Sequence, residues 1–105
     1  MLFLFKGETK GAAPLSPDQF MELAVKQVET LMGYKQQGKI LARGAFVGGQ
    51  GGCGIWEVDS IEELHELLTQ VPMSAFAELE IIPLITHEEA LQSAKQTLAA
   101  LRVSK

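Results

Sequence analysis

Arg43, Glu57, His65, Glu78 and Glu80 are the side chains of this chain whose types and placement suit moving a proton or steadying a negative charge. Glu78 and Glu80 alternate along one strand face with Phe76 and Ile82. A carboxylate held in a partly apolar cavity has a raised pKa and can act as a general base, whereas on a solvated or interface rim it is only a surface acid. Glu57 reads either as a catalytic acid or as half of a cross-strand ion pair with Arg43. His65 flanks an apolar helical stripe, where it serves as a proton shuttle near neutral pH or as a packing residue with one satisfied nitrogen. His87 falls inside a helix-start segment and reads as local structure. With two histidines and one cysteine, neither histidine near a second plausible ligand, the sequence holds no zinc pattern and calls for no metal or cofactor. Cys53 has no basic neighbour or helix start to activate it and is expected as a small buried hydrophobe. The glycines at 44, 48, 49, 51, 52 and 54 suggest a phosphate loop, but no Gly-Lys-Ser/Thr ending follows, so they are expected to form a flexible hairpin tip able to act as a lid.

The elements that must position these residues are well punctuated. Ile55–Val58 is a strand, ended by Asp59-Ser60. Ser60 with Glu63 forms a capping box, and Ile61, Leu64, Leu68 and Val71 recur as a buried helical stripe until Pro72 stops it. Phe76–Leu84 is strand-like again, dense enough in apolar residues to be buried on one face and partly on the other. Upstream, Met1–Phe5 is a short apolar strand expected at the centre of a sheet, and residues 9–15 are a loop. Ser16-Pro17-Asp18-Gln19 is a strong helix start, with Phe20, Leu23, Ala24, Val28 and Leu31 as the buried stripe, Leu15 stapled onto Phe20, and Gly38 as the left-handed stop. Residues 39–48 and 52–58 should pair as a hairpin. With the turn centred on Gln50, Arg43 faces Glu57, Ala45 faces Ile55 and Val47 faces Cys53, while Gly44 faces Trp56 and Phe46 faces Gly54 on the other side. Thr86-His87-Glu88-Glu89 opens a third helix, with Leu91, Ala94, Leu98 and Leu101 as a narrow stripe and Arg102 and Lys105 at its end. That helix is thinly apolar and is expected to pack on a neighbour.

Order and spacing give β-α-β-β-α-β over residues 1–86 plus a helical extension over 87–105, an α+β chain of ferredoxin-like topology with both helices on one face of an antiparallel sheet. The other face is then left partly apolar by Trp56, Phe46 and Phe76, which calls for a partner. At 105 residues a single core is expected. With 47% apolar and 21% charged residues the composition is globular, and no apolar run reaches the roughly 18 residues of a membrane span. A formal charge of −4 without a basic cluster argues against nucleic acid. The cytoplasm is the simplest location.

The order of strand, Asp59-Ser60, Glu63-Leu64-His65-Glu66-Leu67-Leu68, proline turn and Glu78-Leu79-Glu80-Ile81-Ile82-Pro83-Leu84 resembles the C-terminal half of muconolactone isomerase-like proteins, and Met1-Leu2-Phe3-Leu4 and Leu15-Ser16-Pro17 are similar to their opening. The likeness covers roughly residues 1–86. It implies a dimeric α+β barrel, hence a homodimer or larger ring of dimers, and cofactor-independent proton transfer within a small unsaturated lactone, as in aromatic-compound catabolism. Such a reaction needs a base beside a carbonyl, an acid to return the proton and donors for the enolate oxygen. By resemblance His65 matches the family's helix histidine and Glu78 its acid, while Gly49, Gln50, Gly52 and Gly54 stand where the family carries His, Tyr, Asn and Ser, and Phe76 where it carries a phenol. The first reading is therefore a protein that binds or isomerises a small carbonyl compound. Glu78, His65 and Glu57 are its candidate catalytic groups, and Trp56, Phe46, Phe76, Arg43 and Glu80 line its pocket. The alternatives are a non-catalytic barrel that serves as a binding or interaction module, and a cofactor-free monooxygenase on the same barrel.

Overall fold

Three hydroxyl side chains start the three helices. Ser16 Oγ accepts the Gln19 N–H at 3.4 Å while Gln19 Oε1 accepts the Ser16 N–H at 3.0 Å, so both orphan donors at this end are satisfied. The same reciprocal pair recurs at Thr86 and Glu89, at 3.0 and 3.1 Å. Ser60 accepts the Glu63 N–H at 3.1 Å, but the Glu63 carboxylate does not close a capping box. It reaches Lys39 Nζ at 2.6 Å and ties the helix to the start of the neighbouring strand.

The computed structural model describes residues 1–9, 14–48 and 51–103. In chain order they form β1 (Leu2–Thr9), α1 (Pro17–Gln36), β2 (Ile40–Ala45), β3 (Gly51–Glu57), α2 (Ile61–Thr69), β4 (Ala77–Leu84) and α3 (His87–Val103), with a single 3-10 turn at Ser74–Phe76 ahead of β4. Gly38, at φ +79°, lets the chain leave α1 and enter β2. The four strands make one antiparallel sheet in the order β2-β3-β1-β4, with β1 central as expected and α1 and α2 covering one face: a ferredoxin-like α+β fold. Phe3, Ile40 and Trp56 from the sheet meet Leu31 and Tyr34 of α1 and Leu64 and Leu68 of α2 to form the core. Trp56 is only 1% exposed, and its indole lies 5.7 Å from both the Phe5 and Tyr34 rings, the latter edge-on.

The hairpin differs from the expected register by three residues. Arg43 faces Gly54, Gly44 faces Cys53 and Ala45 faces Gly52, with a bulge between Ile40 and Ala42. The chain turns at Val47-Gly48, where Gly48 adopts φ +69°, and Gly51 already belongs to β3, its carbonyl accepting the Phe46 N–H at 2.8 Å. Gln50, the expected turn centre, lies outside the described residues. An odd change of register exchanges faces. Arg43 therefore does not meet Glu57, which instead binds the Met1 ammonium at 3.3 Å, and Trp56 is not on the uncovered face but under the helices. Cys53 is exposed rather than buried, because it stands on the sheet face that no helix covers.

Three burial expectations also change. On α1 the inward line runs through Gln27, Leu31 and Tyr34, leaving Val28 exposed. On α2 Ile61 is exposed while Leu64 and Leu68 hold the core. β4, expected to be largely buried, is the sheet's edge strand, and Leu79, Ile81 and Ile82 all stay exposed. Every described residue of α3 is exposed, and the molecule measures 66 × 28 × 24 Å because this helix projects from the body. No helix of the described residues is long and apolar enough to cross a membrane.

Two consequences are measurable. At Gly54 a Cβ would stand 2.8 Å from the Ala42 carbonyl oxygen and 3.0 Å from Arg43 Cβ, whereas at Gly44 it would meet nothing. We expect Gly54→Ala to cost roughly 1–3 kcal/mol in urea unfolding and Gly44→Ala to show no such loss. The second concerns acid. The hydrogen bond from Lys39, aided by its charge, holds the Glu63 carboxyl below its ordinary 4.5 against a smaller desolvation effect. A carboxyl whose folded pKa is depressed stabilises the fold above its unfolded pKa, and that contribution is lost as pH falls through the folded value. The stability difference between wild type and Glu63→Gln should therefore be full at neutral pH and shrink from about pH 5 downwards. A difference that stays constant to about pH 3 would contradict this.

Candidate functional site

A run of missing side chains opens the site. Gly7 on β1 and Gly52 and Gly54 on β3 all point to the helix-covered face, Gly7 facing Gly52 and Phe5 facing Gly54. Where these residues carry no Cβ, the helices cannot close onto the sheet, and a cleft remains. Phe5 and Trp56 wall it from the sheet, Leu31 from α1, and Leu68, Val71 and Met73 from α2 and the turn that follows. Gln27 Oε1 accepts the Met73 N–H at 3.0 Å, fixing that turn against α1. The Tyr34 hydroxyl, whose pKa burial pushes up, donates to the Leu67 carbonyl at 2.9 Å and pins the far end of α2.

Arg43 supplies the cleft's cation. Its guanidinium lies against Gly52, one nitrogen 3.2 Å from where a Cβ would stand, and its stem crosses Gly54. It is half-buried and, among the described residues, has neither hydrogen-bond nor ion-pair partner. A guanidinium so placed offers a fork of donors to an oxyanion or a carbonyl entering an apolar space. Thr9, Ser74 and Glu8 complete the lining.

Of the residues read from the sequence, Arg43 and Trp56 thus share one cleft. The others lie elsewhere. Phe46 sits beyond the end of β2, with Lys6 Nζ 5.8 Å from its ring centre. Glu80 faces Lys6, and Glu78 faces Glu8, across the β1–β4 ladder, both exposed on the uncovered side. Glu57 faces Leu2 on that same side, beside the Met1 ammonium. Phe76 is half-buried in the 3-10 turn, and His65 is exposed on α2. Among the described residues no three His, Cys, Asp or Glu side chains converge as metal ligands would. Sequence reasoning missed Gln27, Thr9, Glu8 and Ser74. For Gln27 a signal was present: it is the one amide on the inward line of α1, four residues from Leu31.

Comparison with known proteins gives this geometry a family. The description of muconolactone delta-isomerases as a family matches residues 1–90. Among solved structures, muconolactone isomerase at 3.3 Å resolution superposes with a TM-score of 0.74 at 24% identity, covering 83% of this chain and 91% of that one. A 5-chloro-2-hydroxyhydroquinone dehydrochlorinase from Burkholderia phenoliruptrix AC1100, in complex with 2,5-dihydroxybenzoquinone, superposes with a TM-score of 0.65 at 19% identity, covering 85% and 98%. No curated protein sequence matches the chain significantly. Both structural likenesses speak for the fold, and the family match takes in every strand and the helices between them, so the chain belongs to the muconolactone delta-isomerase family.

Proposed function

We propose that the chain binds a small unsaturated carbonyl or lactone compound in the cleft between sheet and helices and shifts a proton within it without a cofactor. The observation that carries this reading is the Arg43 guanidinium, without a partner among the described residues, in a mostly apolar cleft. A flat ring would lie on Phe5 and Trp56, with its carbonyl or carboxylate oxygen on Arg43. When a proton leaves the carbon beside that carbonyl, charge moves onto the oxygen, and a fixed guanidinium favours this state over the ground state. Glu78 is the carboxylate assigned as base. It stands opposite Glu8 on the uncovered sheet face, outside the cleft of its own chain, so it could accept the proton and return it to another carbon of the same ligand only where a second copy carries it to the ligand. The quinone held by the structurally similar dehydrochlorinase, a flat ring with two carbonyls, is of the ligand class proposed here. Neither Glu57 nor His65 of the same chain is needed. The uncovered sheet face, with Leu2, Leu4, Ile55, Ile82 and Leu84 among acids, is assigned to a homodimer contact, and the cytoplasm remains the simplest location.

One observation favours a second reading, a binding module without turnover: Glu57, His65 and Glu78 are all exposed and none lines the cleft. Fluorescence of Trp56, the chain's one tryptophan, separates the two. Titration with unsaturated lactones, quinones and aromatic acids should give saturable quenching by a carbonyl compound, and Arg43→Met should weaken it about tenfold or more, the loss of one charge-assisted hydrogen bond. Equal affinity for Arg43→Met would sink the cleft reading. Product formed by wild type and not by Glu78→Gln, at unchanged affinity, identifies an isomerase with Glu78 as its base. Binding without product in wild type selects the module.

A further inference from the structure

Two apolar stripes remain uncovered by their own chain. On the outward side of α1, Met21, Val25, Val28 and Met32 are between 45% and 59% exposed and recur at intervals of four, three and four residues. On α3, Leu91, Leu98 and Leu101 are between 47% and 60% exposed and, with Ala94, recur at three, four and three. Both spacings are those of a coiled-coil seam. They cannot meet within one chain. Only Ile85 and Thr86 separate β4 from α3, and Thr86, locked with Glu89 as the helix start, sends α3 away from the body. Two residues span at most about 7 Å, too little to climb from the sheet past a helix layer to the outer side of α1.

We infer that α3 is an arm that docks antiparallel on the outward stripe of α1 in a second copy of this chain. Charge selects the orientation. Laid antiparallel, Val28 faces Leu98, Val25 faces Leu101, and the larger Met32 faces Ala94. Along the flank of that seam Glu22 then meets Arg102, Glu29 meets Lys95, and Gln36 meets Glu88, opposite charges or a neutral amide at every heptad. A parallel arrangement sets Glu22 and Glu29 against Ala90 and Thr97 and forms no such pair. Pairing of two α3 arms with each other would set Lys95 against its own copy and leave the α1 stripe bare. The outward side of α1 is across the subunit from the uncovered sheet face, so arm docking and a sheet-to-sheet contact do not compete for surface. The family match stops at residue 90, within the first turn of α3.

Disulfide trapping in the full chain tests contact, partner and direction together, since a bridge forms only where Cα atoms approach within about 7 Å. In a Cys53→Ser background, Val28→Cys with Leu98→Cys should give chains linked to one another on a non-reducing gel after mild oxidation. Val25→Cys with Leu91→Cys, neighbours only in the parallel arrangement, should not. Adding Glu29→Lys should slow the first cross-link at least threefold, and adding Lys95→Glu to that variant should restore its rate. Absence of linked chains for the first pair, preferential linkage of the second, or linkage of Leu98→Cys alone as fast as the pair would each overturn the docking described here, the last pointing to arm-on-arm pairing.

Discussion

The register of β3 against β1 decides which face of the sheet receives Trp56, and the rest of the molecule is arranged around that indole. With Trp56 opposite Phe3 and under Tyr34, the large aromatics of the sheet all stand on the helix side. The small residues of the same strands, Gly7, Gly52 and Gly54, necessarily share that side, because they alternate in phase with Phe3, Phe5 and Trp56. A core and a cleft therefore sit on one surface. One end is filled by rings and the other is left open by glycines. Shifting β3 by a single residue would bury Ile55 and Cys53, expose the indole and close the cleft with side chains.

Element order was legible because each boundary is written in local chemistry. Ser16-Pro17, Gly38, Ser60, Pro72 and Thr86 are caps and stops whose effect needs no distant partner, and all act where the sequence places them. The β2–β3 register was not legible. Gly51-Gly52-Cys53-Gly54 carries no alternation of large and small that could tell inside from outside, so the pairing is set by contact with β1, which is distant in sequence. Arg43 and Trp56 were recognised as pocket residues, but their company was not. Reading Arg43 against Glu57 took both for a sheet-surface ion pair, whereas the bulge after Ile40 turns Arg43 towards Gly54 and the cleft. β4 misled for a different reason. Its apolar density matches that of a central strand, and only topology, which puts it at the edge, explains why its side chains remain exposed.

The two sides of the subunit differ in the work their polar groups can do. On the uncovered face Lys6 is flanked by Glu80 and the Phe46 ring, and Glu57 by the amino terminus, so each charge already has a neighbour in water, where such pairs are worth little and bind little. On the covered face the polar groups are few and mostly committed. Gln27 holds Met73 and Tyr34 holds Leu67, which fixes the walls and leaves Arg43 as a cation without a partner among the described residues.

That asymmetry bears on how a ligand would be held. A guanidinium buried fully without a counter-charge would cost several kcal/mol, and folds avoid it. Arg43 escapes most of that cost by staying half-exposed, with its stem laid on glycine and its head at the cleft. The glycines are what allow this. A side chain at position 52 would occupy the space the guanidinium uses, and a side chain at position 54 would push β2 away from β3. An oxygen-bearing ring that enters removes water from Arg43 but replaces it with a charge-assisted hydrogen bond in a less polar setting, where that bond is stronger than in solvent. A floor of backbone at Gly52 and Gly54 thus lets one long cation from the neighbouring strand reach across.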